Sequence, residues 1–209
     1  MRFLAITAAA LLLSGAAQAA IIVNGSFESG INPPGANFST LGAGNANITG
    51  WTIGGGGIDW IGTFWEASDG LRSLDMTAIT AGSISQSFAT VIGQRYVISF
   101  DIAGNPSPSG GPTLKSLDVS VNSSGLANYT FDTAGFTRAN MGWIGKSYSF
   151  IANSTTSNLA FVSNNGFASG PALDNVTISV PEASTWAMMI MGFGLVGTAL
   201  RRRQRFVAA

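Results

Sequence analysis

The chain contains no histidine and no cysteine. Their absence excludes imidazole acid–base chemistry, thiol nucleophiles, thiolate metal centres, haem ligation by either side chain and every disulfide. A serine triad loses its base with them, and Lys115 and Lys146 stand in no S-x-x-K context that would replace it. Charge is scarce as well. Only 10% of the residues are charged, ten of each sign, and five of the ten cations (Arg2, Arg201, Arg202, Arg203 and Arg205) sit near the two ends. Residues 20–180 hold five cations against nine acids, a net charge of minus four. Such a segment offers phosphates no basic footprint, so nucleic acid is not expected as a partner.

What is present in quantity is glycine, 27 of 209 residues, together with Ser, Thr and Asn, while 46% of the chain is apolar. That is the composition of a turn-rich β protein with enough apolar content to fold. The N-terminal 19 residues read as a secretory signal peptide: Arg2 is the positive end, Phe3 to Leu13 the apolar stretch, and Ala17-Gln18-Ala19 a small-x-small cleavage site. Near the other end, residues 183–200 are mostly apolar and uncharged. As a helix they would measure about 27 Å, close to the hydrocarbon thickness of a bilayer, so one C-terminal transmembrane helix is expected. The Arg cluster that follows would stay on the cytoplasmic side and leave the middle of the chain outside. Gly192-Phe193-Gly194-Leu195-Val196-Gly197 matches the dinucleotide-binding string, but only 12 residues follow it, too few for the acidic residue and strands that such a site needs.

Val180-Pro181-Glu182-Ala183-Ser184-Thr185-Trp186-Ala187, the apolar run and Arg201-Arg202-Arg203 together resemble the PEP-CTERM sorting tag in its PEPxxWA variant, across residues 180–205. Ala183 departs from the pattern, which has a second proline there. The resemblance implies export by a Gram-negative bacterium, transient retention in the inner membrane, recognition by an exosortase near Pro181-Glu182, and delivery to the cell surface or the extracellular polysaccharide matrix. Pro181 blocks helix continuation and favours an extended Val180, which keeps that backbone accessible to a protease cleft.

Residues 20–179 form the exported domain. Tyr96, Ile98, Phe100 and Ile102 alternate with polar neighbours, and Leu117, Val119 and Val121 repeat the pattern. Ile84-Gln86-Phe88, Tyr148-Phe150, Leu159-Phe161 and Val176-Ile178 mark further strands, separated by Gly93-Gln94, Gly104-Asn105-Pro106, Asn122-Ser123-Ser124-Gly125, Asn153-Ser154 and Asn164-Asn165-Gly166. No 12-residue window shows a helical stripe, so the expected class is an all-β antiparallel β-sandwich. Asn24-Gly25-Ser26-Phe27-Glu28-Ser29, Gly50-Trp51, Asp69-Gly70-Leu71-Arg72-Ser73-Leu74-Asp75-Met76 and Leu173-Asp174-Asn175-Val176 are similar to strings of choice-of-anchor C and DUF642-type domains. The resemblance implies a galactose-binding-like jelly roll. In such folds the early Phe-Glu and the late Leu-Asp-Asn-Val bring together a pair that holds a structural calcium, here Glu28 and Asp174, with backbone carbonyls and water completing the shell. Capping of turns by both acids is the alternative.

For a glycan, Trp60 and Trp65 in the segments Gly54 to Trp60 and Phe64-Trp65-Glu66 would present ring faces to sugar C–H groups, with Asp59, Glu66 and Asn105 accepting from hydroxyls. Tryptophan in the core is the competing reading, favoured for Trp51 and open for the other two. Glu28, Asp59, Glu66, Asp69 and Asp75 could supply the carboxylate pair of a glycosidase, but spacing alone establishes no pair, and no enzyme is expected. The N-x-S/T strings, such as Asn47-Ile48-Thr49 and Asn128-Tyr129-Thr130, suit a polar β surface in a bacterium. Two functions stand: a weak carbohydrate-binding module of the cell surface or matrix, and a purely structural matrix protein without a specific ligand.

Overall fold

The computed structural model describes residues 20–107, 111–181 and 190–194. The expected signal peptide lies outside the described residues, as do Glu182, Trp186, Arg201, Arg202, Arg203 and most of 183–200. Residues 190–194 are helical, and among the described residues no helix is long and apolar enough to cross a membrane.

Eleven strands run in chain order: β1 (Phe38–Leu41), β2 (Thr52–Gly55), β3 (Ile58–Ile61), β4 (Ser73–Asp75), β5 (Gly82–Ala89), β6 (Arg95–Gly104), β7 (Leu114–Val121), β8 (Ser124–Asp132), β9 (Ile144–Ile151), β10 (Thr156–Ser163) and β11 (Pro171–Ser179). One sheet has the order β1-β3-β4-β11-β6-β9 and the other β2-β5-β10-β7-β8, with every pairing antiparallel. Taking β4 to β11 as strands one to eight, the sheets read one-eight-three-six and two-seven-four-five. That is the jelly-roll order, two Greek keys closed face to face. β1 and β3 extend the first sheet beyond β4, and β2 extends the second beyond β5.

The alternating strands behave as period two demands. Tyr96, Ile98, Phe100 and Ile102 of β6 are buried, as are Leu117, Val119 and Val121 of β7 and Leu159 and Phe161 of β10. Phe100 and Phe161 meet edge to face across the sandwich with centroids 5.1 Å apart, and Phe100 makes a second such contact with Tyr129. Gln86 also points inward, where its amide exchanges hydrogen bonds with both backbone groups of Val23 (2.7 and 2.9 Å) and fastens the N-terminal segment to β5.

The string around Asn24 is a hook rather than a strand. Asn24 and Phe27 both adopt left-handed backbone (φ 54° and 59°), and Phe27 is buried in the core. The turn lays Gly25 against β11: its carbonyl accepts from Val176 N–H (2.9 Å), and a Cβ at Gly25 would lie 1.8 Å from the Val176 carbonyl oxygen. Only glycine tolerates that approach. The hook also places Glu28 beside the β3–β4 loop.

Candidate functional site

The β3–β4 loop, residues 62–72, folds over the outer face of the six-stranded sheet, and three carboxylates pin it there. Ser68 and Asp69 donate their backbone N–H groups to Asp174 Oδ2 (2.8 and 2.9 Å), and Ser68 Oγ donates to Asp101 Oδ2 (2.6 Å). Three residues on, Leu71 and Arg72 donate their N–H groups to Glu28 Oε1 (2.7 and 2.6 Å), while the Arg72 guanidinium pairs with Oε2 at 2.7 Å. Asp174 and Glu28 therefore grip the same loop at successive points. Burial pushes Asp174 up to about 7 against the opposing effect of its backbone donors.

This arrangement corrects the calcium expectation. The oxygens of Glu28 and Asp174 face N–H protons and a guanidinium, which are the partners of an anion and compete with a cation for the same lone pairs. Among the described residues no group of three or more His, Cys, Asp or Glu side chains is placed to hold a metal. These residues do not fit calcium and match the capping alternative. The melting temperature should therefore be the same in EDTA and in millimolar calcium; a clear rise with calcium would restore the metal site.

The tryptophan expectation is also corrected. Trp60 is fully buried, its Nε1–H donating to the Phe27 carbonyl (3.0 Å), and Trp65 is 4% exposed with Nε1–H on Ser73 Oγ (2.7 Å). Trp60 is sealed from any ligand, while Trp65, though almost fully covered, is among the residues lining the groove beside Glu66. Asp59 is buried and accepts from Thr40 Oγ1 (2.6 Å); Asn105 donates to Asp75 Oδ2 (2.8 Å) and accepts from Ser107 N–H. Both are committed to the fold. Trp51 is in the core as expected, and half-buried Trp143 donates its Nε1–H to the Glu66 carbonyl (2.8 Å).

Asp59 stands directly across from Asp75 in the β3–β4 register, so the fold does bring two of the five carboxylates together. They are shut off from any glycosidic bond by burial. Asp75 also accepts from Thr77 N–H (3.0 Å) and Gly170 N–H (2.9 Å), yet its burial prevails and pushes it up to about 7, helped by the charge of Asp59. Lys115 enters this region from β7, passing Gly104, where a side chain would collide with its Cγ, and donates to the Ser169 carbonyl (2.7 Å). One peptide group, Ser169–Gly170, thus accepts from Lys115 and donates to Asp75, which ties the two sheets together at this end.

Glu66 is exposed, whereas Asn105 is half-buried and the other predicted glycan residues are buried. Glu66 lines an open groove of about 510 Å³ with Phe64, Ala67, Leu71, Arg138 and Ala139, a volume suited to a small ligand. One wall is the pinned β3–β4 loop. The other is the β8–β9 loop, joined to it by Glu66 N–H donating to the Arg138 carbonyl (2.8 Å). The Arg138 guanidinium lies 3.8 Å over the Phe64 ring, and that ring meets Phe38 edge to face at 5.2 Å. Leu71 is 59% exposed. The groove therefore offers fixed N–H donors, a carboxylate acceptor and an apolar patch at close quarters. Reasoning from sequence missed Arg138 and Phe64 as partners, because nothing local marks two residues 74 positions apart as neighbours.

A second cleft, about 340 Å³, runs over the open half of the same sheet between Ser99, Asp101, Ser147, Asn175 and Thr177. It has hydroxyl, amide and carboxylate groups but no exposed ring.

Comparison with known proteins places these features. Residues 179–203 match the PEP-CTERM protein-sorting motif, which marks the chain for export. Halomucin of Haloquadratum walsbyi (strain DSM 16790 / HBSQ001) is 28% identical over 193 residues, an alignment covering 84% of this chain and only 2% of halomucin. Similar solved structures include TmCBM61 in complex with β-1,4-galactotriose (14% identity, 77% of this chain and 97% of that one, TM-score 0.46). Family 35 carbohydrate-binding modules from Clostridium thermocellum (12%, 68% and 99%, 0.44) and Paenibacillus barcinonensis (21%, 68% and 99%, 0.44) are similar as well. Residues 20–179, from the hook at Gly25 to the end of β11, match the family described as "protein of unknown function (DUF642)", and the chain belongs to it.

Proposed function

We propose that this chain is an exported surface protein, released to the cell surface or polysaccharide matrix by an exosortase acting near Pro181-Glu182, and that its jelly roll binds polysaccharide through the Phe64–Glu66–Leu71–Arg138 groove. The reading supposes that 183–200 spans the inner membrane until cleavage. Val180 and Pro181 are exposed, as a cleavage site requires.

The observation that carries the binding reading is the guanidinium of Arg138 stacked on Phe64 in the groove that Glu66 also lines, the Glu66 carboxylate being held by Met141 N–H (3.3 Å). A sugar has hydroxyls that both donate and accept and a C–H face that is apolar. The groove holds a complement to each, on a β3–β4 loop fixed by Glu28 and Asp174 and a β8–β9 loop joined to it through the Arg138 carbonyl, so that little ordering remains to oppose binding. The reading is one of binding; the facing carboxylates of β3 and β4 are buried.

Affinity electrophoresis through gels containing acidic and neutral bacterial polysaccharides tests this. The double variant Leu71→Ala, Arg138→Ala should lose about tenfold or more in affinity, the order expected for removing an apolar contact and a charge-assisted hydrogen bond. Its melting temperature should stay close to that of the parent. Correctly folded parent protein retained by none of the polysaccharides would favour the structural matrix protein instead.

A further inference from the structure

We infer that the end of the sandwich formed by the β5–β6 turn, the end of β9 and the exit of β11 is a bilayer-docking surface, which rests on the headgroups of the membrane while residues 183–200 span it. The inference rests on the tether in the reading above.

Register places the parts. Ser179, the last residue of β11, pairs with Val97, and Arg95 at the start of β6 pairs with Ile151 at the end of β9. The β5–β6 turn closes the same end, with Gly93 N–H donating to the Ala152 carbonyl (2.7 Å). Turn tips are normally polar, yet this one carries Val91 and Ile92, 47% and 63% exposed, beside Ile151 at 57% and Val180 at 39%. Arg95 is exposed among them. The segments that make up this end, residues 90–95, 122–124, 152–156 and 179–181, contain no Asp or Glu, and the first acid beyond them is Glu182 in the tether itself. An apolar rim with a lone cation suits a layer of anionic headgroups over hydrocarbon.

Tether length selects the bilayer over any other occupant. Three residues separate Ser179 from Ala183, the start of the apolar run. Four extended steps reach about 14 Å, and the headgroup layer takes roughly 6 Å of that. The end of β11 is thus held within about 8 Å of the surface, a span its own side chains cover. The opposite end, at Ile79, stands about 30 Å higher along β6.

The chain has no cysteine of its own, so single-site labelling needs no background removal. Full-length Ile92→Cys and Ile79→Cys, each spin-labelled, are reconstituted into vesicles of phosphatidylethanolamine and phosphatidylglycerol and recovered by flotation. Both sites are exposed, so both variants should fold; their circular dichroism is compared with the parent's. At position 92 accessibility to a water-soluble nickel relaxant should fall roughly threefold or more relative to position 79, with a matching gain towards oxygen, as for a side chain in the headgroup boundary. Chains that float but show equal accessibility at both positions overturn the docking surface and leave the tether standing. Chains that fail to float overturn the tether and the docking surface together. Protection at position 92 that persists in detergent micelles without vesicles, and is lost on dilution of the protein, assigns the rim to a second copy of this chain and overturns the bilayer as its occupant.

Discussion

Trp60→Ala is expected to lower the melting temperature by about 8–24 °C while leaving any polysaccharide binding by the folded fraction unchanged. The indole is fully buried, packs against the backbone at Gly30, and holds the Phe27 carbonyl through Nε1. Truncating a buried Trp costs about 3–5 kcal/mol through lost burial and a residual cavity. The orphaned carbonyl adds roughly 1 kcal/mol, against a total stability of about 5–15 kcal/mol. For a chain of this size each kcal/mol moves the midpoint by about 2–4 °C. Thermal unfolding by far-UV circular dichroism measures it. A variant that melts with the parent but loses binding would return Trp60 to a ligand surface.

Stability should rise as the pH falls from about 8 to 5.5. Asp75 and Asp174 are both pushed up to about 7 by burial, from an ordinary value of 3.8. Between those values the folded protein keeps protons that the unfolded chain has released, so protonation favours folding, and the gain is lost as the pH rises through 7. Integrated over that interval the contribution is about 2 kcal/mol for each group. Asp59, raised by its own burial against the Thr40 hydrogen bond, acts with the same sign. Lys115, lowered by burial against the attraction of Asp75, acts with the opposite sign, in the alkaline range below 10.5. Urea midpoints across this range should climb on the acid side of 7 and level off above it. Asp75→Asn and Asp174→Asn should each flatten the climb by about half. A midpoint that falls between pH 8 and 5.5 would contradict the assignment.

The two tryptophans show where sequence reasoning stopped. Alternation is visible in β6 and β7 because each has a polar face and an apolar one. All four residues of β3 and all three of β4 are buried, since the 62–72 loop and its neighbours cover the outer face of that part of the sheet. No period of two survives there, and Gly54 to Gly57 reads as a loop. The glycines serve a turn with φ of 60° at Gly55 and 89° at Gly57, where the chain leaves one sheet for the other. Trp60 therefore enters the core one turn after a segment that resembles a ligand loop. Glu28 and Asp174 were legible as partners of a common element, but not the nature of that element: backbone N–H groups leave no mark in the residue string. Glu66 was legible as an exposed acceptor, whereas Arg138, which lines the same groove, comes from a loop five strands later in the chain.

β11 is last in the chain and central in its sheet, flanked by β4 on one side and β6 on the other. Until residues 171–179 have been made, β4 and β6 have no shared neighbour, and the Gly25 hook has no strand to close on. The six-stranded sheet can therefore close only once nearly all of residues 20–179 is available. A chain cut short before residue 171 would leave the six-stranded sheet open at its centre, with the facing edges of β4 and β6 unpaired.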